Sequence, residues 1–362
     1  MSAHELSRDH ARRIIVRAAL LDAERPGDVV EVAEQLGQIK IDPTPVITPS
    51  EHTIAWSRIG WSYEPGQLKK AVEDDRLLFE YSGAFHAASL LPAMLPRMRT
   101  AQLRQSTNEW LAANERFRRE VLARIRAEGP LLASQIPDTA QAAREPDTWN
   151  PTNQVSLLLD ALARRGEVGI VGRDGRRRRW DIAERAYPQD VTELPLDEAN
   201  AEYERRALQA HGLARAHYWW TGVGRDTGEA ATVEGSALKL RVDPQALALL
   251  DQPDPGGRVA FLNPYDPLLF DRRRLTELFD FTYVLEQFKP KSQRVYGYFA
   301  HPILCGDRFI GMLDAEHDRE HGVLRVNAVH EFAPWEPEEY EMVRAEVDEL
   351  AAWLGVPVTG LR

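Results

Sequence analysis

The sequence predicts an α+β chain, with tandem winged-helix units followed by a C-terminal antiparallel β-barrel-like domain. Three observations carry this. Apolar residues recur at helical spacing through most of residues 5–250. Two helical stretches then lead into a hairpin at Asp174-Gly175, and helix, helix, hairpin is the winged-helix order. After about residue 255, short alternating segments between turns replace the helical pattern.

Each element has its own signal. Residues 7–21 place Ala11, Ile14, Ile15, Ala18 and Leu21 on one helical face, behind a Ser7 cap. Residues 29–36 repeat the pattern, and Gly37 stops it. Gln38, Ile39, Lys40, Ile41 and Asp42 alternate as a short strand that Pro43 and Pro45 end. Residues 109–128 read as one long amphipathic helix, closed by Gly129-Pro130. Residues 154–165 are helical with Gly166 as the stop, and two strands follow around Asp174-Gly175. Residues 197–218 form a third helical stretch, and residues 222–240 have room for another wing. Strands are expected at residues 258–262, 282–288, 295–304, 308–315 and 323–329, with a terminal helix at 336–354. The stretch 251–257 has linker composition. These boundaries give units at 1–110, 111–190, 191–252 and 253–362.

Composition excludes several classes. The 362 residues are 43% hydrophobic and 28% charged, so the chain has enough apolar mass to bury cores. No apolar run reaches the ~18 residues a membrane span requires. The polar first ten residues lack the apolar region of a signal peptide. The single cysteine, Cys305, excludes an internal disulfide framework and a Cys-rich zinc site. A cytoplasmic monomer without metal or organic cofactor is the expectation.

The net charge of −11 argues against a general nucleic-acid coat, yet positive charge is locally concentrated. Arg173, Arg176, Arg177, Arg178 and Arg179 surround Asp174 in the hairpin. Arg272, Arg273 and Arg274 form a second cluster; Lys289, Lys291 and Arg294, interleaved with Phe288, Tyr296 and Tyr298, form a third. Three basic clusters on expected turns and edges favour a nucleic-acid groove over solvated loops, since each neutralised phosphate releases counterions.

These segments also carry longer blocks. Phe79-Glu80-Tyr81 followed by His86-Ala87-Ala88-Ser89-Leu90-Leu91-Pro92 resembles the EYW-x-HEASLLP block of the AlkZ/YcaQ family of DNA glycosylases. Asn263-Pro264-Tyr265-Asp266-Pro267 and Asp271-Arg272-Arg273 resemble its SPFDP…WDRKR block. The similarity continues through Glu286, Tyr296-Gly297-Tyr298, Gly311, Asp314 and Asp318-Arg319. It runs from about residue 5 to about residue 335. The resemblance implies winged-helix units and a barrel-like domain on double-stranded DNA containing a modified base. It also implies cleavage of the N-glycosidic bond of a bulky alkylated purine or an interstrand crosslink, without a cofactor.

The family's catalytic pattern is Gln-apolar-Gln or Gln-apolar-Asp, and Lys40-Ile41-Asp42 occupies that place. In a strand, Lys40 and Asp42 would share a face, with Gln38 beside them and Ile39 and Ile41 turned to the core. A leaving base puts positive charge on the sugar, and a carboxylate below C1′ stabilises it and orients water. Asp42 suits that role. Lys40 departs from the family's Gln, and three readings stay open: it positions the site, it attacks C1′ as an amine with lyase chemistry, or the site is altered. The resemblance places His86 near the active site, in contact with DNA or the departing base.

Ala87, Asn150 (within Trp149-Asn150-Pro151) and Glu316 replace family polar or basic residues, which points to a different substrate. Removal of modified cytosine from foreign or phage DNA therefore stands beside repair and self-resistance. Two other classes compete. A non-catalytic winged-helix regulator would bind undamaged duplex without needing Asp42. A nuclease would use Asp314, Glu316 and Asp318, alternating on one strand face, to hold metal.

Overall fold

The computed structural model describes residues 3–143, 153–218, 221–254 and 256–361. The chain forms two compact units, one from residues 1–67 and 204–362, the other from 68–203. The architecture is mixed α and β.

The first unit opens with β1 (His4–Leu6), α1 (Arg8–Ala18), α2 (Val29–Leu36), β2 (Ile39–Lys40) and α3 (Ser50–Ile59). The Ser7 side chain caps α1 by accepting from the His10 N–H, and Asp28 caps α2 by accepting from Val30 and Glu31. Gly37 ends α2 with φ 68°, a conformation that favours glycine. The Ser7 cap and the Gly37 stop are those the sequence signals, whereas α1 ends at Ala18 and not at Leu21. The strand is shorter than expected. It ends at Lys40, so Asp42 lies just beyond it. Ile39 is fully buried, whereas Ile41 is half-buried.

The second unit follows α4 (Pro65–Glu73). It contains β3 (Leu78–Tyr81), β4 (Ala84–Ala87), α5 (Leu91–Arg99), α6 (Gln105–Ala113), α7 (Glu115–Glu128), β5 (Leu131–Leu132), α8 (Gln154–Arg164), β6 (Val168–Asp174), β7 (Arg177–Ile182) and α9 (Ala183–Ala186). Its strands pair antiparallel as β4-β3-β6-β7-β5. One core joins Trp110, Phe117, Ile125, Leu158, Leu162 and Trp180. The single helix expected over 109–128 is two, because Asn114 is buried and turns inward. Its amide donates to the carbonyls of Trp110 and Ala142 and accepts from the N–H groups of Gln141 and Ala142. The two-residue hairpin loop is Gly175-Arg176, one position later than expected, since Asp174 pairs with Arg177.

α10 (Leu196–His211) runs from the second unit back into the first. There follow β8 (Leu213–Arg215), β9 (Glu229–Val233), β10 (Leu240–Val242), α11 (Pro244–Ala248), β11 (Val259–Phe261), α12 (Arg272–Phe279), β12 (His301–Cys305), β13 (Arg308–Asp318), β14 (Val323–Glu331), α13 (Pro337–Leu354) and β15 (Val358–Thr359). One sheet has the order β1-β9-β10-β8, the other β11-β12-β13-β14-β15. The helix expected over 197–218 thus ends at His211. Ile14 and Ile15 of α1 share the main core of this unit with Leu213, Val242, Leu269, Leu275 and Leu304.

The strands expected at 282–288 and across 295–300 are absent. The buried Glu286 carboxylate explains this. It accepts from the backbone N–H groups of Val295 and Tyr296 at 2.8 Å each and of Gly297 at 3.4 Å, removing donors that a ladder would use.

Candidate active site and basic surfaces

α3 organises the candidate active site. Ser50, its first residue, is fully buried. The Ser50 hydroxyl accepts from the Asp42 N–H at 2.6 Å and donates to the Lys40 carbonyl at 2.7 Å. One side chain therefore holds the backbone on both sides of Ile41. Asp42 tightens the turn further, accepting from the Thr44 N–H through Oδ1 at 2.9 Å. Pro43 permits this because it offers no competing N–H at that position.

The same helix also grips the segment Asn263–Asp266. Thr53, one turn beyond Ser50, accepts from the buried Asn263 amide at 2.7 Å, and Asn263 Oδ1 accepts from the Tyr265 N–H at 2.9 Å. Arg58, near the end of α3, pairs with Asp266 through Nη1 and Nη2, the latter 3.0 Å from Oδ1. Both side chains are fully buried. Breaking such a pair by removing one partner costs about 3–5 kcal/mol, because the survivor is a buried, uncompensated charge. Tyr265 is thus pinned from both neighbours. Its hydroxyl feels the charge of Asp42. Burial first, then the Asp42 charge, raise the tyrosine pKa above its usual value, against the hydrogen bond from Gln287. Gln287 donates to the same hydroxyl at 3.0 Å.

Lys40 is half-buried, and burial lowers its pKa, opposed by the nearby Asp42 charge. Its ammonium makes no ion pair or hydrogen bond among the described residues. The arrangement is therefore a carboxylate anchored on a rigid helix start, with a desolvated amine nearby. Gln38 sits just before β2, half-buried. Sequence reasoning missed Ser50, Thr44 and Gln287, and Tyr265 entered only as a motif letter. The one sequence signal was Tyr265 itself, standing where the block it resembles has Phe.

The remaining residues singled out from the sequence belong largely to the other unit. His86 lies on β4, buried, with its ring 5.5 Å from that of Phe79. The hairpin arginines divide. Arg173 forms a two-pronged pair with buried Glu80, at 2.9 and 2.6 Å. Arg177 pairs with Asp174 across the turn, and Arg178 with Asp160 at 2.8 Å while stacking on Trp180. Arg176 and Arg179 are exposed and have no carboxylate partner among the described residues.

In the first unit, Arg272 and Arg273 are exposed on the first turn of α12, not on a loop. Arg272 stacks 4.2 Å from the Tyr283 ring, and Arg273 pairs with Glu277 at 2.8 Å. Arg274 is buried and donates to the Leu213 carbonyl at 2.7 Å. In the third cluster, Lys289 pairs with Glu286 and Arg294 stacks on Tyr298.

Asp314, Glu316 and Asp318 lie at alternate positions of one strand, β13; the register shift beside Asp314 skips Asn327 on β14, and Glu316 and Asp318 both engage Arg325. Among the described residues, no group of three or more His, Cys, Asp or Glu is placed to hold a metal ion. Residues Trp149-Asn150-Pro151 lie outside the described residues. No described helix is long and apolar enough to cross a membrane.

A family model described as "AlkZ-like: DNA glycosylase AlkZ-like" matches residues 33–353. Among solved structures, Streptomyces sahachiroi DNA glycosylase AlkZ has a similar fold, with a TM-score of 0.64 at 15% identity. The similarity covers 98% of this chain and 99% of that one.

Proposed function

The chain belongs to the AlkZ-like DNA glycosylase family, and from that premise we propose that it hydrolyses the N-glycosidic bond of a bulky modified base in double-stranded DNA, with Asp42 as the catalytic carboxylate. The observation that carries this reading is the anchoring of Asp42. The family match spans it, and its backbone N–H and one carboxylate oxygen are engaged by Ser50 and Thr44, which leaves the group preset. A preset anion reorganises little as charge develops on the sugar, and that is where electrostatic catalysis is most effective. Asp42 stabilises the oxocarbenium-like sugar and orients the attacking water.

The folded units read as tandem winged helices with a barrel-like C-terminal domain. The exposed Arg176 and Arg179 at the hairpin, and Arg272 and Arg273 on α12, contact phosphates. Gln38 and His86 are secondary DNA contacts in this reading. The protein acts as a monomer without metal or cofactor. The substrate is an alkylated purine or crosslink in repair and self-resistance, or a modified cytosine in defence against foreign DNA. Ala87, Asn150 and Glu316, which depart from the polar or basic residues of the blocks this chain resembles, support a substrate apart from simple N7-alkylguanine.

A second reading rests on Lys40. Its desolvated amine, without an ion pair or hydrogen bond among the described residues, has a raised neutral fraction at neutral pH. The amine attacks C1′, the base departs with the bonding electrons and takes up a proton, and the amine nitrogen loses one. Ring opening gives an imine, and β-elimination of the 3′-phosphate cuts the strand.

The test is base release from DNAs containing N7-methylguanine, a mustard crosslink, or hydroxymethylated or glucosylated cytosine, with wild type and Asp42→Asn. Release that needs Asp42 is the expected result, and full release by Asp42→Asn refutes the assignment. Strand breaks without alkali, trapped by borohydride and lost in Lys40→Gln, select the second reading. Tight binding of undamaged duplex with no release from any of these DNAs favours a non-catalytic binder.

A further inference from the structure

Resting on that catalytic reading, we propose that Arg319 is a positioning residue for Asp42, its guanidinium clamping the tip of the loop that Asp42 begins. That loop, residues 42–50, is closed at its neck. The Ser50 N–H donates to the Asp42 carbonyl at 3.3 Å, and the Ser50 hydroxyl accepts from the Asp42 N–H. The tip is Pro45, Val46 and Ile47, and the end of β13 engages the carbonyl of each. Arg319 donates to the Pro45 carbonyl through Nη1 at 3.1 Å and to the Ile47 carbonyl through Nη2 at 2.9 Å. The His317 N–H donates to the Val46 carbonyl at 2.9 Å.

The clamp stands on a fixed base. Arg319 directly follows β13, in the turn to β14. Asp318, beside it, accepts from the His321 N–H at 3.1 Å and pairs with Arg325, which holds that turn. Arg319 makes no ion pair among the described residues. Its hydrogen bonds there all go to backbone carbonyls, the third being that of His317 at 3.4 Å. A guanidinium presents its N–H groups in a rigid fork, which can span the Pro45 and Ile47 carbonyls as a point charge cannot.

The stiffness of the loop carries the position of its tip to Asp42. Pro43, Pro45 and Pro49 fix their own φ, and the residues before them, Asp42, Thr44 and Thr48, are biased to extended backbone. Prolines also supply no N–H, so the loop has few donors for its own carbonyls, and those at the tip take theirs from β13. The fully buried Ile47 side chain seats the tip in the interior. Asp42 is thus held by Ser50 at the neck and by Arg319 through the tip. Arg319 touches no substrate atom in this scheme and acts only through the loop.

The test needs no knowledge of the excised base. Two duplexes are compared, one with a cationic pyrrolidine abasic-site analogue, whose nitrogen stands for the charged sugar, and one with a neutral tetrahydrofuran site. Wild type should prefer the cationic duplex, and Asp42→Asn should abolish the preference. Arg319→Ala is expected to lose about tenfold of the preference, within the ~100-fold that a misplacement of about 1 Å can cost. Its tetrahydrofuran affinity should not change, and it should add no loss in the Asp42→Asn background. Amide hydrogen exchange of residues 42–50 should quicken in Arg319→Ala while that of α1 stays as in wild type. Arg319→Lys keeps the charge but not the fork, and should lose most of the same preference. An unchanged preference in Arg319→Ala overturns the proposal, as does unchanged exchange in the loop. Equal weakening of both duplexes, or full recovery by Lys, also overturns it and makes Arg319 a phosphate contact. If Asp42→Asn itself keeps the full preference, the catalytic reading of Asp42 falls, whatever the loop exchange shows, and this inference falls with it.

Discussion

Replacing Ser50 by Ala tests whether the start of α3 shapes the active site or merely the fold. Ser50 is fully buried and makes two short hydrogen bonds, to the Asp42 N–H and the Lys40 carbonyl. Alanine removes both without adding bulk, and leaves the Asp42 N–H without that partner in the interior. Stranding one buried donor costs about 1–3 kcal/mol. For a unit of this size, each kcal/mol moves the midpoint by about 2–4 °C, so the expected fall lies between about 2 and 12 °C.

The functional effect is separate. If about 1.4 kcal/mol of that loss appears as a poorly placed carboxylate, the preference for a duplex with a cationic pyrrolidine abasic-site analogue over one with a neutral tetrahydrofuran site falls about tenfold. Thermal melting and the two-duplex binding assay are read on the same preparation. Ser50→Thr retains the hydroxyl and should restore most of both quantities. A lowered midpoint with an intact preference would show that Ser50 supports α3 alone, and would refute the argument that this hydroxyl presets Asp42.

Three further outcomes follow from the same geometry. Arg176→Ala with Arg179→Ala should weaken binding of undamaged duplex and reduce the slope of log affinity against log salt by about 2, whereas replacing the ion-paired Arg177 and Arg178 should change it less; titrations between low and moderate salt decide this. Arg173→Ala leaves the buried Glu80 carboxylate uncompensated and should destabilise the second unit by about 3–5 kcal/mol, while Arg173→Met with Glu80→Leu should recover much of the loss. Burial raises the Glu346 pKa to about 7, against the pull of Arg25 and Arg258. The fold therefore favours the protonated acid: no penalty exists below pH ~4.5, and it grows as pH rises towards 7. Glu346→Gln should melt higher than wild type at pH 8, and by less at pH 5; an equal difference at both pH values would refute the sign.

Much of the local structure is a consequence of short-range chemistry, and the sequence determined it. Ser7 supplies an acceptor to a free helix N–H group, and Gly37 adopts a positive φ, so the start of α1 and the end of α2 were legible. The same holds for the basic hairpin, whose strands and Gly-containing turn are local in sequence. The family blocks made Asp42 and Lys40 legible as candidates before their surroundings were known.

The tertiary structure decided what distant residues do to each other. Glu286 captures the N–H groups of Val295, Tyr296 and Gly297 and cancels strands that the alternation pattern favoured, and Asn114 breaks a helix that its periodicity made continuous. Five hairpin arginines look alike in sequence, yet Glu80, Asp174 and Asp160 neutralise three of them and leave Arg176 and Arg179 exposed. Above all, the segment around Tyr265 lies more than two hundred residues from Asp42, and α3 holds both, through Ser50 on one side and Thr53 and Arg58 on the other. Periodicity and capping act within a few residues, whereas hydrogen-bond partners and charge compensation depend on which surfaces the fold brings together.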